Sequence, residues 1–231
     1  MTNIVMLCHN RFRLTEQALV SLYDHTPREE FNLTLVDDGS TDFRTILLLT
    51  RYAKHKANCT LVQVANSGHV LAQLKNLGVT AAEQRWGKGD WLYLSDSDVW
   101  FAPDWLGKLT EVATMSESQN FGLWGGQVHP FHQGPRHPNF QLTEHAVLDG
   151  PSWLMRWGTW SICGPFDRVA APGPCQSEEY PFCERIKRGG GSIGAISPHV
   201  VVHTGLTQTD GKPAPGYEAR LPMISAGVLA E

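Results

Sequence analysis

The sequence lacks most of what would announce a special architecture. Its five cysteines (Cys8, Cys59, Cys163, Cys175 and Cys183) are an odd, scattered set in 231 residues, and their spacings match neither a disulfide framework nor a metal site. We read them as reduced thiols of a cytoplasmic protein. No apolar run approaches the ~20 residues that cross a bilayer, the longest being of the order of residues 46–49. Met1-Thr2-Asn3 leads straight into an apolar segment without a basic stretch or cleavage site, so no signal peptide is expected. An excess of positive charge is missing too: 19 Lys and Arg against 23 Asp and Glu leave a net charge of -4. There is no global basic field to draw in nucleic acid or an anionic membrane, although a local basic groove stays possible. Repeats and low-complexity tracts are absent. What is present, 42% hydrophobic and 18% charged residues with 22 Gly and 14 Pro, describes one ordinary globular domain and excludes collagen-like, coiled-coil and disordered chains. A chain of this length buries roughly 70% of its unfolded surface and folds without staples.

The first hundred residues alternate between two periodicities. Ile4-Val5-Met6-Leu7 is an unbroken apolar run, as a strand buried on both faces requires. After a polar loop, Ala18, Leu19, Leu22 and Tyr23 mark a helix that Thr26-Pro27 closes. A second strand over 31–36 ends in Asp37-Asp38-Gly39-Ser40, followed by a helix over 42–54 with Ile46, Leu47 and Leu49 on its buried side. A third strand at 60–64 leads through Asn66-Ser67-Gly68 into a helix over 70–84. A fourth, 91–94, runs directly into Asp96-Ser97-Asp98. This order predicts an α/β domain with an open, mostly parallel sheet and helices on both faces. In such sheets ligands bind beyond the carboxyl ends of the strands. Those ends are Cys8 to Arg13, Asp37-Asp38, residues 66–68 and residues 96–98, all polar or charged.

From Phe121 the alternation breaks down into Gly-, Pro-, His- and Trp-rich sequence, which suits mixed or antiparallel strands with long loops. His129, His132, His137 and His145 are crowded together, yet no pair is spaced to ligate from one helix face, and we read them as loop residues. Ser177 to Gly189 reads as a helix with Pro181 in its first turn. The residues after Thr204 read as a tail or lid.

Two carboxylates separated by one residue at a strand end suit a hard divalent cation that also carries phosphate oxygens; the alternative is an Asp-rich turn. A second acidic pair, Asp37-Asp38, ends another strand of the same sheet. Two acidic clusters on one edge repel unless a cation or hydrogen-bond donors compensate them.

Four blocks, in order, resemble family 2 glycosyltransferases of GT-A fold. Residues 4–11, Ile-Val-Met-Leu-Cys-His-Asn-Arg, look like the first nucleotide-binding strand and loop, and Val36-Asp37-Asp38-Gly39-Ser40-Thr41-Asp42 is nearly the VDDGSTD signature. Asn66-Ser67-Gly68 with Lys75-Asn76-Leu77-Gly78 is similar to the N-x-G and A-R-N-x-G elements, Lys75 standing for the usual Arg. Asp96-Ser97-Asp98 looks like the D-x-D. Further on, Gly164-Pro165-Phe166-Asp167 is similar to G-x-F-D. Ser177-Glu178-Glu179 with Arg185 and Gly189 resembles E-D-x-D-L-x-x-R-x-x-x-G, and residues 200–203 resemble the late strand that ends in a metal-contacting His.

The resemblance implies a GT-A-type single domain over 1–205, with a Rossmann-like nucleotide-sugar half (1–100), a mixed acceptor and catalytic half (101–205) and a tail or lid (206–231). It implies a Mn²⁺ or Mg²⁺ ion on Asp98 with Asp96 and His203, neutralising the leaving diphosphate of a nucleotide-sugar donor, UDP-linked in the first instance. Leu7, His9, Arg11, Asp38, Lys75 and Asp96 fall in the donor-binding blocks. Asp38 can accept from a pyrimidine imide N–H, His9 can stack on the ring, and Lys75 is the natural cation for the phosphates. The general base that deprotonates the acceptor hydroxyl, with inversion, is then Glu179 or Glu178. Glu179 stands where the family has Asp and is one methylene longer.

Each assignment has a plainer counterpart. His203 can be a structural histidine, Glu178 and Glu179 can serve the helix dipole, and Trp153, Trp157 and Trp160 are either core or a wall under a sugar. Two other functions fit the sequence less well. A sugar-phosphate nucleotidyltransferase lacks support because residues 8–11 replace its Gly-rich phosphate loop, and an intact acidic set argues against a non-catalytic binding module. The acceptor can be a saccharide, a lipid-linked sugar, a protein or a modified nucleic acid. The absence of an anchor disfavours lipid, and DNA would need a patch from Arg136, Arg156, Arg168, Arg185, Lys187 and Arg188.

Overall fold

A computed structural model of the chain describes residues 1–65, 71–117, 120–126, 148, 152–167, 179–196 and 199–204, and the backbone of 133–136 and 142–145. Asn66-Ser67-Gly68, residues 127–132, Glu178, Cys175 and everything after Thr204 lie outside it.

The sheet is built outward from β1 (Thr2–Cys8), every residue of which is buried. β2 (Phe31–Asp38) and β4 (Trp91–Asp96) flank it in parallel, and β3 (Cys59–Val64) extends the parallel set beyond β2. β9 (Ser152–Arg156) then pairs antiparallel with β4 and with β6 (Phe121–Gly125), which runs parallel to β10 (Ser192–Ile196). β8 (Leu142–His145) and β7 (Gln133–Arg136) close the far edge. Among the described residues this gives a nine-stranded sheet in the order β3-β2-β1-β4-β9-β6-β10-β8-β7. The parallel first half and mixed second half agree with the sequence reading.

Alternation along each central strand separates two cores. Ile4, Met6 and Cys8 of β1, Leu33 and Leu35 of β2 and Tyr93 of β4 face a layer made by α1 (Phe12–Asp24), α2 (Phe43–His55) and α4 (Trp105–Ser116). Val5, Leu7, Val36, Leu92 and Leu94 face α3 (Leu71–Trp86), α5 (Trp157–Cys163) and α6 (Glu179–Arg188). Each buried aliphatic side chain contributes roughly 1.5–3 kcal/mol, so double coverage explains why these strands read as unbroken apolar runs. Helix α3 comes unusually close to the sheet. A Cβ on Gly78 would collide with Val5 and stand 2.8 Å from Val36 Cγ2, so the glycine of the Lys75-Asn76-Leu77-Gly78 block is there for packing.

One expectation changes. Leu47 is exposed, because α2 seats on the sheet through Thr45 and Leu49, one turn apart, and position 47 points the other way. The late strand β11 (Val201–His203) does not enter the main sheet; it pairs antiparallel with β5 (Val99–Phe101), setting His203 opposite Val99. Among the described residues no helix is long and apolar enough to cross a membrane.

Candidate active site

The carboxyl ends of β1, β2 and β4 are aligned: Leu7 is level with Val36 and Asp96, and Cys8 with Asp37. One residue ties the loops beyond them together. Asn10, in the left-handed region with φ 53°, donates its backbone N–H to Ser40 Oγ (2.8 Å), and its Oδ1 accepts from the N–H groups of Thr41 and Asp42, both at 2.8 Å. Asn is among the few side chains that adopt this conformation readily. Buried Asp37 stiffens the same turn by accepting from Ser40 N at 3.1 Å. His9 is exposed but oriented: Nδ1–H donates to the Asp38 carbonyl at 2.7 Å and Nε2 accepts from Asn10 Nδ2 at 3.0 Å. That tautomer follows because a carbonyl oxygen only accepts. Half-buried Asp38 ends β2 beside it, while the Leu7 side chain is core.

Asp98 is engaged from several sides. Arg11, also left-handed with φ 55°, donates to its Oδ2 at 2.6 Å, and His203 Nε2 stands 3.1 Å from its Oδ1. The Asp98 carbonyl accepts from Thr204 N (2.7 Å) and Thr204 Oγ1 (2.9 Å). The β5–β11 pairing makes this contact, since His203 is level with the residue after Asp98. Burial pushes the Asp98 carboxyl up, but the hydrogen bond and charge of His203, together with Arg11, outweigh it and hold the group below its ordinary value.

The donor set suits a divalent cation. In this structure the 3.1 Å between His203 Nε2 and Asp98 Oδ1 is that of a hydrogen bond, and a cation taking both as ligands would replace its proton. A carboxylate and an imidazole leave the remaining positions to water and phosphate oxygens. Among the described residues no group of three or more His, Cys, Asp or Glu is gathered, so Asp96, at the end of β4, is not drawn into a common cluster with them.

A second pair forms on the α3 face. Glu179 opens α6, and its Oε1 lies 3.9 Å from Lys75 Nζ. Lys75 was expected at the phosphates, but it is buried, with its ammonium 5.5 Å from the Trp153 ring and 5.4 Å from that of Phe166. Phe166 is held by Asn76, whose amide exchanges two hydrogen bonds with the Phe166 backbone, both 2.9 Å. Arg185 grips the same loop, donating to Cys163 O (2.6 Å), Pro165 O (2.8 Å) and Asp167 Oδ2 (2.6 Å). The blocks at 75–78, 164–167 and 179–185 therefore meet in one bracket. Residue types alone did not reveal the bracketing roles of Asn10, Asn76 and Arg185; their only signal was membership in those blocks.

Trp153 and Trp157 prove to be core, packed with Phe166 and Phe182. Trp160 is partly exposed and packs on the same cluster. Of the residues that a DNA-binding patch would need, Arg156 pairs with Glu117 and stacks on Trp91, Arg185 pairs with Asp167, and Lys187 lies 4.0 Å from Glu184. Cys8, Cys59, Cys163 and Cys183 are thiols without disulfides.

An open α/β sheet of this order is of GT-A type. Three solved structures share it: GalNAc-T7 with UDP, GalNAc and Mn²⁺ (15% identity, TM-score 0.70, 88% of this chain and 43% of that one); Staphylococcus aureus TarS in complex with UDP-GlcNAc (18%, 0.60, 87% and 57%); and the Pyrobaculum calidifontis mannosyltransferase PcManGT with GDP-Man and Mn²⁺ (17%, 0.65, 99% and 62%). The chain thus spans between 43% and 62% of the length of these proteins. No curated protein sequence matches it significantly. The signature of glycosyl transferase family 2 matches residues 3–138, more than half the chain, and the chain belongs to that family.

Proposed function

We propose that the chain is a metal-dependent, inverting glycosyltransferase that moves a sugar from a nucleotide-sugar donor, UDP-linked in the first instance, to an acceptor hydroxyl. The observation that carries the reading is the Asp98–His203 pair, brought together by the β5–β11 pairing at the edge where Asp38 and His9 stand. UDP in GalNAc-T7 and UDP-GlcNAc in TarS support a uridine donor, and Mn²⁺ in two of the neighbours supports the ion.

In this reading residues 1–100 bind the donor. Asp38 accepts from the base imide and the fixed His9 ring offers a face for stacking. A Mn²⁺ or Mg²⁺ ion on Asp98 and His203, with Asp96 nearby, would neutralise charge that develops on the diphosphate. Arg11, on the exposed side of Asp98, adds positive potential to the same pocket. Residues 101–205 supply the acceptor side. Glu179, or Glu178 beside it, takes the acceptor hydroxyl proton as that oxygen bonds to the anomeric carbon; the bond from that carbon to the phosphate oxygen breaks, and the nucleoside diphosphate leaves. Attack opposite the leaving group inverts the anomeric centre. A saccharide or protein hydroxyl suits the site better than modified nucleic acid, because Arg156, Arg185 and Lys187 have acidic neighbours.

The test is nucleoside diphosphate release across a panel of UDP- and GDP-sugars, with Mn²⁺ and with a chelator. Metal-dependent release from a UDP-sugar is expected. Release that is indifferent to the chelator overturns the metal assignment, and release from GDP-sugars alone overturns the donor.

A further inference from the structure

A lysine that binds a donor diphosphate is a point charge at the surface of its pocket. Lys75 is something else. Its side chain is 4% exposed, it sits one turn into α3, and its ammonium is met by the faces of Trp153 and Phe166 and by the Glu179 carboxylate. An ammonium so placed is tolerated only where ring faces and a carboxylate replace its water. Trp153, Phe166 and Phe182 pack with ring centroids 4.7–5.7 Å apart, and the loop carrying Phe166 is hydrogen-bonded by Asn76 and by Arg185. Trp153 is level with Leu94, two residues before Asp96, so this aromatic box flanks the strand that ends in Asp96.

We infer that Lys75 is a positioning residue for Glu179, holding one oxygen of the carboxylate so that the other is presented to the acceptor hydroxyl, and that it is not a ligand of the donor diphosphate. The inference rests on the reading of Glu179 as the general base. It also links the bracket to the base: Asn76 and Arg185 hydrogen-bond the Phe166 loop, the Phe166 ring lies 5.4 Å from the Lys75 ammonium, and that ammonium lies 3.9 Å from the Glu179 carboxylate. The longer side chain of Glu179, relative to the Asp usual in the family, gains an anchor in this way.

The test combines Lys75→Met, Lys75→Arg, Glu179→Gln and the Lys75→Met/Glu179→Gln double variant. Two quantities are read: calorimetric affinity for UDP in Mn²⁺, and nucleoside diphosphate release from the nucleotide sugar that the unaltered chain turns over. Lys75→Met is expected to lower turnover at least tenfold and leave UDP affinity within about twofold. The double variant should then be no slower than Glu179→Gln alone, because two residues acting through one group are not additive. Lys75→Arg, which keeps the charge, should recover part of the turnover. A tenfold loss of UDP affinity in Lys75→Met, or a double variant slower by the product of the single effects, overturns the inference and returns Lys75 to the diphosphate. If Lys75→Met does not fold, the Arg variant decides: unchanged UDP affinity with altered turnover supports the inference, and the reverse overturns it. Turnover within tenfold of the unaltered chain in Glu179→Gln overturns the base reading itself, a separate failure.

Discussion

The two ion pairs, one at the carboxyl edge of the sheet and one on its α3 face, are mirror images. In one, the acid Asp98 is buried at 9% exposure and its cation Arg11 is open at 40%. In the other, the cation Lys75 is buried at 4% and its acid Glu179 is more open at 20%. The buried member is fixed by its surroundings: Thr204 and the β5–β11 pairing for Asp98, the aromatic box for Lys75. The open member is the one that can be exchanged or turned. Arg11 is open to solvent, which screens its charge, so another cation can approach Asp98 from the same side. A carboxylate held over a buried ammonium keeps its countercharge while it faces the acceptor. On the proposed reaction, the first pair serves the leaving group and the second the nucleophile.

Breaking the second pair at its acid should have the largest effect. Glu179→Gln is expected to lower turnover by roughly 10²–10⁴-fold with nucleotide affinity unchanged, read by steady-state rates beside calorimetry. The first pair should respond the other way. Asp98→Ala should weaken UDP binding in Mn²⁺ by tenfold or more, about 1.4 kcal/mol, and adding a chelator to the unaltered chain should reproduce the loss. Equal UDP affinity with and without the chelator breaks that half of the comparison.

Stability sharpens the contrast further. Asn76→Ala removes both hydrogen bonds to the Phe166 backbone and should cost about 1–3 kcal/mol in denaturant unfolding. The smallest effect is expected for Arg11→Ala, a loss within about 1 kcal/mol, since the partner it leaves still has His203 and Thr204. A larger loss would mean that Arg11 is a structural strut.

The amino-acid pattern made the parallel half legible. The apolar runs of β1, β2 and β4 end where the structure ends them to within two residues, because a strand buried on both faces has no solvent-facing position to blur its limits. The acidic residues at strand ends were legible for the same reason. The second half was not. Trp153 and Trp157 were open to two readings because a tryptophan under a sugar and one in a core look alike in sequence, and only the packing of α5 and α6 on β9 distinguishes them. Leu47 misled because four consecutive apolar residues give no helical phase.

By itself, then, the sequence determined the alternation of strands and helices, the doubly covered sheet and the placing of Asp37, Asp38, Asp96 and Asp98 at its carboxyl edge. These are local matters, settled by burial periodicity over a few residues. Tertiary structure decided which charges meet. Arg11 and Asp98 are 87 positions apart, joined because β1 and β4 are neighbours with Leu7 level with Asp96. His203 reaches Asp98 only through the two-stranded pairing of β11 with β5. Lys75 turned inward to Glu179 because α3, seated closely at Gly78, carries it over Trp153 and Phe166. Coulomb attraction falls with distance and with solvent, so the role of a charged side chain is set by the neighbour that the fold supplies.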